Sequence, residues 1–283
     1  MSEKTSILDT ATLVTISGRQ LETFSLGDGP DLVLFESGGG SSGAVWGRVV
    51  ESLAIDARIV IYNRAGYGRS WAVWDKRTLS HLVHDLLHLL ETMEYRRLVL
   101  VGHSWGGPVI RSVAANLGEK CTGLVLVDAT DEGNSEYFGG MEEAFYRNSW
   151  MILPKALWGS LAIQKEEQLK GIQEPYRSKA VRDCSSFKAA WMASYEIANI
   201  VPGLRELVAS PAILAGKTAV TCISGQIPHN KMRTEQNAAH RRRAQLAGQR
   251  GKYVPANKSG HAVHHTEPQL IADEIATILA PKP

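Results

Sequence analysis

At 283 residues, with 44% apolar and 21% charged side chains, the chain has the composition of a globular protein with a substantial core. A formal net charge of +2 argues against a nucleic-acid or membrane-surface binder, which would need a stronger field. No apolar stretch reaches bilayer length, residues 1–9 lack the layout of a secretion signal, and Cys121, Cys184 and Cys222 show no metal-ligand spacing, so a reduced cytoplasmic protein is expected.

The first sixty residues read as strands. Residues 13–17 and 21–26 flank a turn at Gly18, which predicts a hairpin. Residues 31–36 are a short apolar run leading into Gly38-Gly39-Gly40, and 58–62 are another leading into the Gly66 and Gly68 turn. Strands and helices then alternate. Leu79, Leu82, Val83, Leu86, Leu87 and Leu90 form one helical stripe. Residues 98–101 are a buried strand, and Val109, Ile110, Val113, Ala114 and Leu117 form a second stripe. The next strand, 124–127, ends on Asp128. Wholly apolar strands between amphipathic helices predict an α/β fold, with a parallel sheet covered on both faces.

The alternation stops between about 131 and 215, where the chain turns helical and aromatic, with Trp150, Trp158, Tyr176, Trp191 and Tyr195. It resumes with a strand at 219–223, a helix near 235–247, a strand at 252–255 and a final helix carrying Leu270, Ile271, Ile275, Ile278 and Leu279. The expected organisation is a core domain, 1–130 and 216–283, interrupted by a helical insertion, 131–215. The insertion is expected over the carboxyl edge of the sheet, where open α/β sheets bind ligands.

Gly102-His103-Ser104-Trp105-Gly106-Gly107 follows a buried strand and opens a helix. That is the setting a GxSxG nucleophile elbow requires. A sharp strand-to-helix reversal strains the serine backbone, and side chains at Gly102 and Gly106 would collide with neighbouring backbone. The hydroxyl is thereby raised above the sheet at a helix N-terminus, which favours developing negative charge.

With this elbow placed, the whole order of elements resembles the lid-bearing, single-domain α/β-hydrolases: hairpin, Gly-rich turn, second glycine turn, serine elbow, lid, late acid region and Ser259-Gly260-His261. The resemblance implies a mostly parallel sheet of about eight strands flanked by helices, with a helical lid after the sixth. It implies that His261 is the general base for Ser104, with His264 and His265 as nearby competitors. A serine hydroxyl needs an imidazole to take its proton and return it to the leaving group. The implied oxyanion hole joins the backbone N–H of Trp105 to the Ser37-Gly38-Gly39-Gly40 loop. Spacing from Trp46 aligns Gly39 with the donor position, Gly40 being the near alternative, although the family often has His-Gly where this chain has Ser37-Gly38.

The family's usual acid follows the seventh strand, but residues 225–230 hold no carboxylate. Some members place it at the end of the preceding strand, which makes Asp128 the expected acid. A turn or helix cap is its plainer reading, and Asp131 and Glu235 are reserves. Trp158, Trp191, Tyr195 and Gly40 are expected to line the substrate pocket. His81, His84 and His88, with Asp85, read as a solvated helix face, as does Arg241-Arg242-Arg243. In the 63–70 turn the glycines read as structural, and Asn63 stands where the family usually has aspartate.

The expected chemistry is hydrolysis of a carboxylic ester or lactone of a small apolar or aromatic molecule through an acyl-enzyme on Ser104. Dehalogenase and epoxide-hydrolase chemistry is disfavoured, because those relatives carry a carboxylate nucleophile. Amide cleavage, carbon–carbon bond hydrolysis and perhydrolysis can run on the same triad. A ligand receptor or an inactive scaffold is the alternative outside enzymes. No cofactor or metal is implied, the expected partner is a small-molecule substrate, and a homo-oligomer stays open.

Overall fold

A computed structural model describes residues 6–214 and 216–280; residues 1–5, Ala215 and 281–283, which include the start of the 1–9 segment and both ends of the expected domain ranges, lie outside it. Eight strands form one sheet: β1 (Thr12–Ile16), β2 (Arg19–Leu26), β3 (Leu32–Glu36), β4 (Arg58–Tyr62), β5 (Leu98–His103), β6 (Cys121–Val127), β7 (Ala219–Gly225) and β8 (Gly251–Ala256). Their order is β1-β2-β4-β3-β5-β6-β7-β8. The β1–β2 and β2–β4 pairs are antiparallel and the other five pairs are parallel.

Strict alternation along the central strands sorts their side chains between the two faces. Leu32, Leu34, Leu98, Leu100, Leu124 and Leu126 face one core, which is shared with α2 (Leu79–Glu91) and α3 (Gly106–Leu117). Val33, Phe35, Val99, Val101, Val125 and Val127 face the other, shared with α1 (Gly47–Ser52) and α12 (Pro268–Leu279). Both faces are dry, which is why these strands read as unbroken apolar runs.

Between β6 and β7 the described residues form a 3-10 turn (Ser135–Phe138) and six α-helices: α4 (Met141–Trp150), α5 (Ile152–Leu157), α6 (Ser160–Gln168), α7 (Tyr176–Cys184), α8 (Phe187–Ala198) and α9 (Ile200–Ala209). After β7 comes α10 (Lys231–Leu246), capped by Asn230, whose side-chain oxygen accepts the Arg233 N–H at 2.9 Å. The short α11 (Val263–Thr266) and α12 follow β8. No helix of the described residues is long and apolar enough to cross a membrane.

The sheet order places the functional loops. From β3 the chain crosses to β4 on one side and then to β5 on the other, so the loops after β3 and β5 part company there. The crevice so formed at the carboxyl ends is where such sheets bind ligands.

One helix face departs from the expectation. His81 and His84 are exposed, but Asp85 is buried. It ion-pairs with Arg19 and, at 2.8 Å, with the fully buried Arg77. Asp85 sits on α2 where β1 and the 71–78 loop cover it, so a charge pair replaces the solvated face. Removing one partner of a buried ion pair strands the other charge. Asp85→Asn should therefore lower unfolding stability by about 3 kcal/mol in a urea titration; an unchanged midpoint would show that Arg77 is satisfied without it.

Candidate active site

Ser104 occupies the turn between β5 and α3 with φ +51°, a left-handed conformation rare for a residue with a Cβ. The strain is held by three backbone bonds. Its N–H donates to Val127 O at 3.2 Å, and its carbonyl accepts from Gly107 N–H at 3.0 Å and Thr130 N–H at 2.9 Å. The glycines are required by close approach. A Cβ on Gly106 would lie 2.7 Å from the carbonyl oxygens of Glu36 and Ser37, and one on Gly102 would lie 2.7 Å from Gly106 O.

The loop after β3 lies beside this turn. A Cβ on Gly38 would come within 3.3 Å of Ser104 Cβ, and one on Gly39 within 3.7 Å of Trp105 Cβ. The Gly40 N–H is already used, donating to Glu196 Oε2 at 3.2 Å. The amide of Gly40 is therefore already engaged, unlike an amide left free to meet an oxyanion.

An ion network that the sequence did not reveal fixes this loop. Arg64, buried at the end of β4, donates to the carbonyls of Ser37 and, at 2.7 Å, Gly38. It also pairs with Glu36 and with Glu196 of α8, each at 2.7 Å. Tyr62 donates to Glu36, and Tyr67 donates to Glu196 at 3.1 Å. Burial pushes the Glu36 carboxyl up, opposed by the Arg64 charge. Lys165 of α6 donates to Gly40 O at 2.9 Å. Two insertion helices are in this way tied to one glycine loop.

Asp128 directly follows β6, with φ +40° and a side chain only 1% exposed. Its Oδ2 lies 2.7 Å from His261 Nδ1. Its Oδ1 accepts the Gly225 N–H at 3.0 Å and ion-pairs with Arg233. Burial raises its pKa, but His261 and then Arg233 outweigh that and hold the carboxyl well below its ordinary range. The reserves lie elsewhere. Asp131 pairs with Arg243 at 2.9 Å, so that arginine is not part of a solvated face. Glu235 is in the second turn of α10 and has no hydrogen bond to the site among the described residues.

Position 225 at the end of β7 has no room for a side chain. A Cβ on Gly225 would lie 2.0 Å from Gly260 O, so the histidine loop packs directly on the end of β7. Gln226 N–H and Ile227 N–H both donate to Ser259 O, at 2.8 and 3.1 Å.

His261 is 56% exposed and shares one cavity with Ser104 and Asp128. Its Nδ1 is engaged by Asp128, and no hydrogen bond joins its ring to Ser104 Oγ among the described residues. In unliganded sites such bonds are often long and tighten only when substrate binds. The cavity measures about 360 Å³ and is lined by Tyr137, Met141, Phe145, Ile200 and Met232, with Arg233 among its polar groups. Trp158, Trp191, Tyr195 and Gly40, expected from the sequence to line the pocket, do not line this cavity. Trp158 is 82% exposed, while Trp191 and Tyr195 pack with Trp74 and Trp150 in an aromatic ribbon outside the cavity.

Three further histidines crowd behind His261. His103 Nε2 lies 2.9 Å from His261 O, and the His264 ring centroid lies 4.2 Å from that of His103, tilted, and 4.0 Å from that of His265, edge-on. Burial pulls His103 down to about 3 and His265 to about 4, and His264 is lowered by burial too. Rings that stay neutral when folded but take up protons when unfolded make stability fall with pH. It is full above the ordinary value of 6.5 and is lost as pH drops toward 4, at up to about 1.4 kcal/mol per pH unit for each ring. The melting temperature should therefore fall between pH 6.5 and 5, less steeply in His264→Phe, as followed by circular dichroism. A flat profile in both proteins would contradict the neutral assignment.

A family model described as "Alpha/beta hydrolase family" matches residues 32–274. RutD of Rhizobium rhizogenes, which bears the name of a carbamate hydrolase, is 33% identical over 105 residues, 36% of this chain. That match spans 40% of RutD's own length. An epoxide hydrolase of Vigna radiata superposes with a TM-score of 0.75 at 17% identity, covering 95% of this chain and 97% of the other. A thermophilic esterase of Thermogutta terrifontis gives a TM-score of 0.71 at 18% identity, again covering 95% and 97%. At those identities the likeness is one of fold. The family match spans most of the sheet, the elbow and the histidine loop, and the chain belongs to the alpha/beta hydrolase family.

Proposed function

We propose that the protein is a serine hydrolase that cleaves a carboxylic ester or lactone of a small, apolar or aromatic molecule. The observation that carries this reading is the Asp128–His261 pair at 2.7 Å, opening with the strained Ser104 onto one apolar cavity. Ser104 Oγ attacks the carbonyl carbon while His261 Nε2 takes its proton. Asp128 fixes the imidazole with Nε2 toward the cavity and stabilises the imidazolium that forms. The amides of Gly39 and Trp105 receive the oxyanion. His261 returns the proton to the leaving alcohol, and water, activated by the same ring, releases the acyl group.

A cavity of about 360 Å³ suits a small molecule, and its aromatic and thioether lining favours an apolar acyl or alcohol part. The helices α4 to α9 would serve as the lid, since Met141, Phe145 and Ile200 belong to them. The name borne by RutD supports a second reading, in which the same serine attacks a carbamate or amide carbonyl.

A fluorescent fluorophosphonate probe tests the mechanism without knowledge of the substrate. The wild type should be labelled, and labelling should fall at least a thousandfold in Ser104→Ala and His261→Ala. Asp128→Ala should fall by more than a hundredfold while Glu235→Ala stays near wild type. Folded wild type that resists the probe would move a ligand receptor or inactive scaffold to the front. A panel of p-nitrophenyl esters, lactones, carbamates and anilides then separates the two substrate readings.

A further inference from the structure

Arg233 is the cation the cavity places beside the acid. It enters from the first turn of α10, its side chain is 11% exposed, and it lines the cavity with Ser104 and His261. Its guanidinium pairs with Asp128 Oδ1, while Nε is buried with no partner among the described residues. The same Oδ1 accepts the Gly225 N–H at 3.0 Å. One carboxylate oxygen is thereby saturated from β7 and α10, and the other is left to His261. An arginine in this place opposes the very charge that stabilises a catalytic imidazolium.

We propose that Arg233 is the positioning residue of the acid–base pair: it locks Asp128 with Oδ2 toward His261 and shares the carboxylate charge, so that His261 holds its proton less tightly than beside an unshared aspartate. This rests on the reading of Ser104, His261 and Asp128 given above. Two consequences follow for the chemistry. The base stays unprotonated to lower pH, and the imidazolium delivers its proton more readily to a poor leaving group.

The groups around His261 keep the effect readable. His103 faces it from β5, His264 and His265 from α11, Asp128 from β6 and Arg233 from α10. Behind Asp128 stand His240 of α10, Tyr137 and Asp131. Burial holds His103, His240, His264 and His265 neutral near pH 7, and it pushes Tyr137 above the range. His261, unlike these buried rings, is half-exposed to solvent.

The test compares the rate of fluorophosphonate labelling from pH 4.5 to 8.5 in wild type, R233Q, R233M and R233K, each first checked for folding by circular dichroism. The two neutral substitutions allow the charge to be removed even where one of them does not fold. Titration of the His261 ring by NMR in wild type and the folded neutral variant gives a readout that needs no reactivity. Removal of the positive charge should move the acidic midpoint up by about one pH unit, in labelling and NMR alike. R233K should keep the midpoint near wild type at a reduced plateau. A neutral variant with an unmoved midpoint, whatever its plateau, overturns the proposal, because a side chain that only packs or only contacts substrate changes the rate and not the titration. Should the wild type take no label, the hydrolase reading fails by itself, and the NMR titration still decides the role of Arg233.

Discussion

A buried carboxylate is costly unless every lone pair facing the interior is met, and Asp128 is the point where this chain meets that cost. Three separate parts of the sequence converge on it: the end of β7 through Gly225, the first turn of α10 through Arg233, and the loop after β8 through His261. None of these could move outward without leaving the charge unsatisfied. The carboxylate therefore fixes the carboxyl edge of the sheet, and the imidazole is held as part of that same compensation. Its partner on the other side, Ser104, is fixed independently, by backbone bonds to Val127, Gly107 and Thr130. The end of β6 and the turn after it thus contribute to both halves, since Val127 and Thr130 brace the elbow while Asp128 engages the ring.

The oxyanion side follows a similar economy with opposite sign. Arg64 is a buried cation whose donors are met by Glu36, Glu196 and two carbonyls of the glycine loop. A glycine loop has little stiffness of its own, because each residue has a wide choice of backbone conformation. Here the stiffness is imported from Arg64 below and from Glu196 and Lys165 of the insertion. Donors aimed at an oxyanion act through preorganisation, so a rigid surround matters more than the identity of the loop side chains. On the proposed reading, the departure of Ser37-Gly38 from the family's usual His-Gly leaves the proposed amide donors in place, because they are backbone groups.

What was legible in the sequence is what depends on local periodicity and local backbone geometry. The Leu–Val alternation of 98–101 and 124–127 and the stripes of α2 and α3 carry their meaning within a few residues, and so does the elbow, whose glycines are demanded by a turn. Pairings between distant residues carry no such signal. Arg233 and Asp128 are 105 positions apart, and Arg64 and Glu196 are 132 apart. Asp85 shows the same limit inside a helix. The helical wheel places it opposite the apolar stripe, but only the neighbouring loop decides that this position is covered and that Arg77 waits there. The aromatic insertion misled for a related reason. Abundance of tryptophan predicts burial or contact without saying against what, and the ribbon of Trp74, Trp191, Tyr195 and Trp150 packs on itself while Tyr137, Met141 and Phe145 form the cavity wall.

The position of the acid brings these threads together. The histidine loop packs against the end of β7, where Gly225 lies so close to the carbonyl of Gly260 that a Cβ does not fit. Asp128, directly after β6, is the aspartate that reaches His261 Nδ1. Moving the acid there also moves it under α10, whose first turn then meets a buried negative charge. A helix N-terminus already favours such a charge, and an arginine adds to that attraction while drawing the charge away from the histidine. The carboxylate after β6, the glycine at the end of β7 and the arginine of α10 thus meet at one point of the sheet edge.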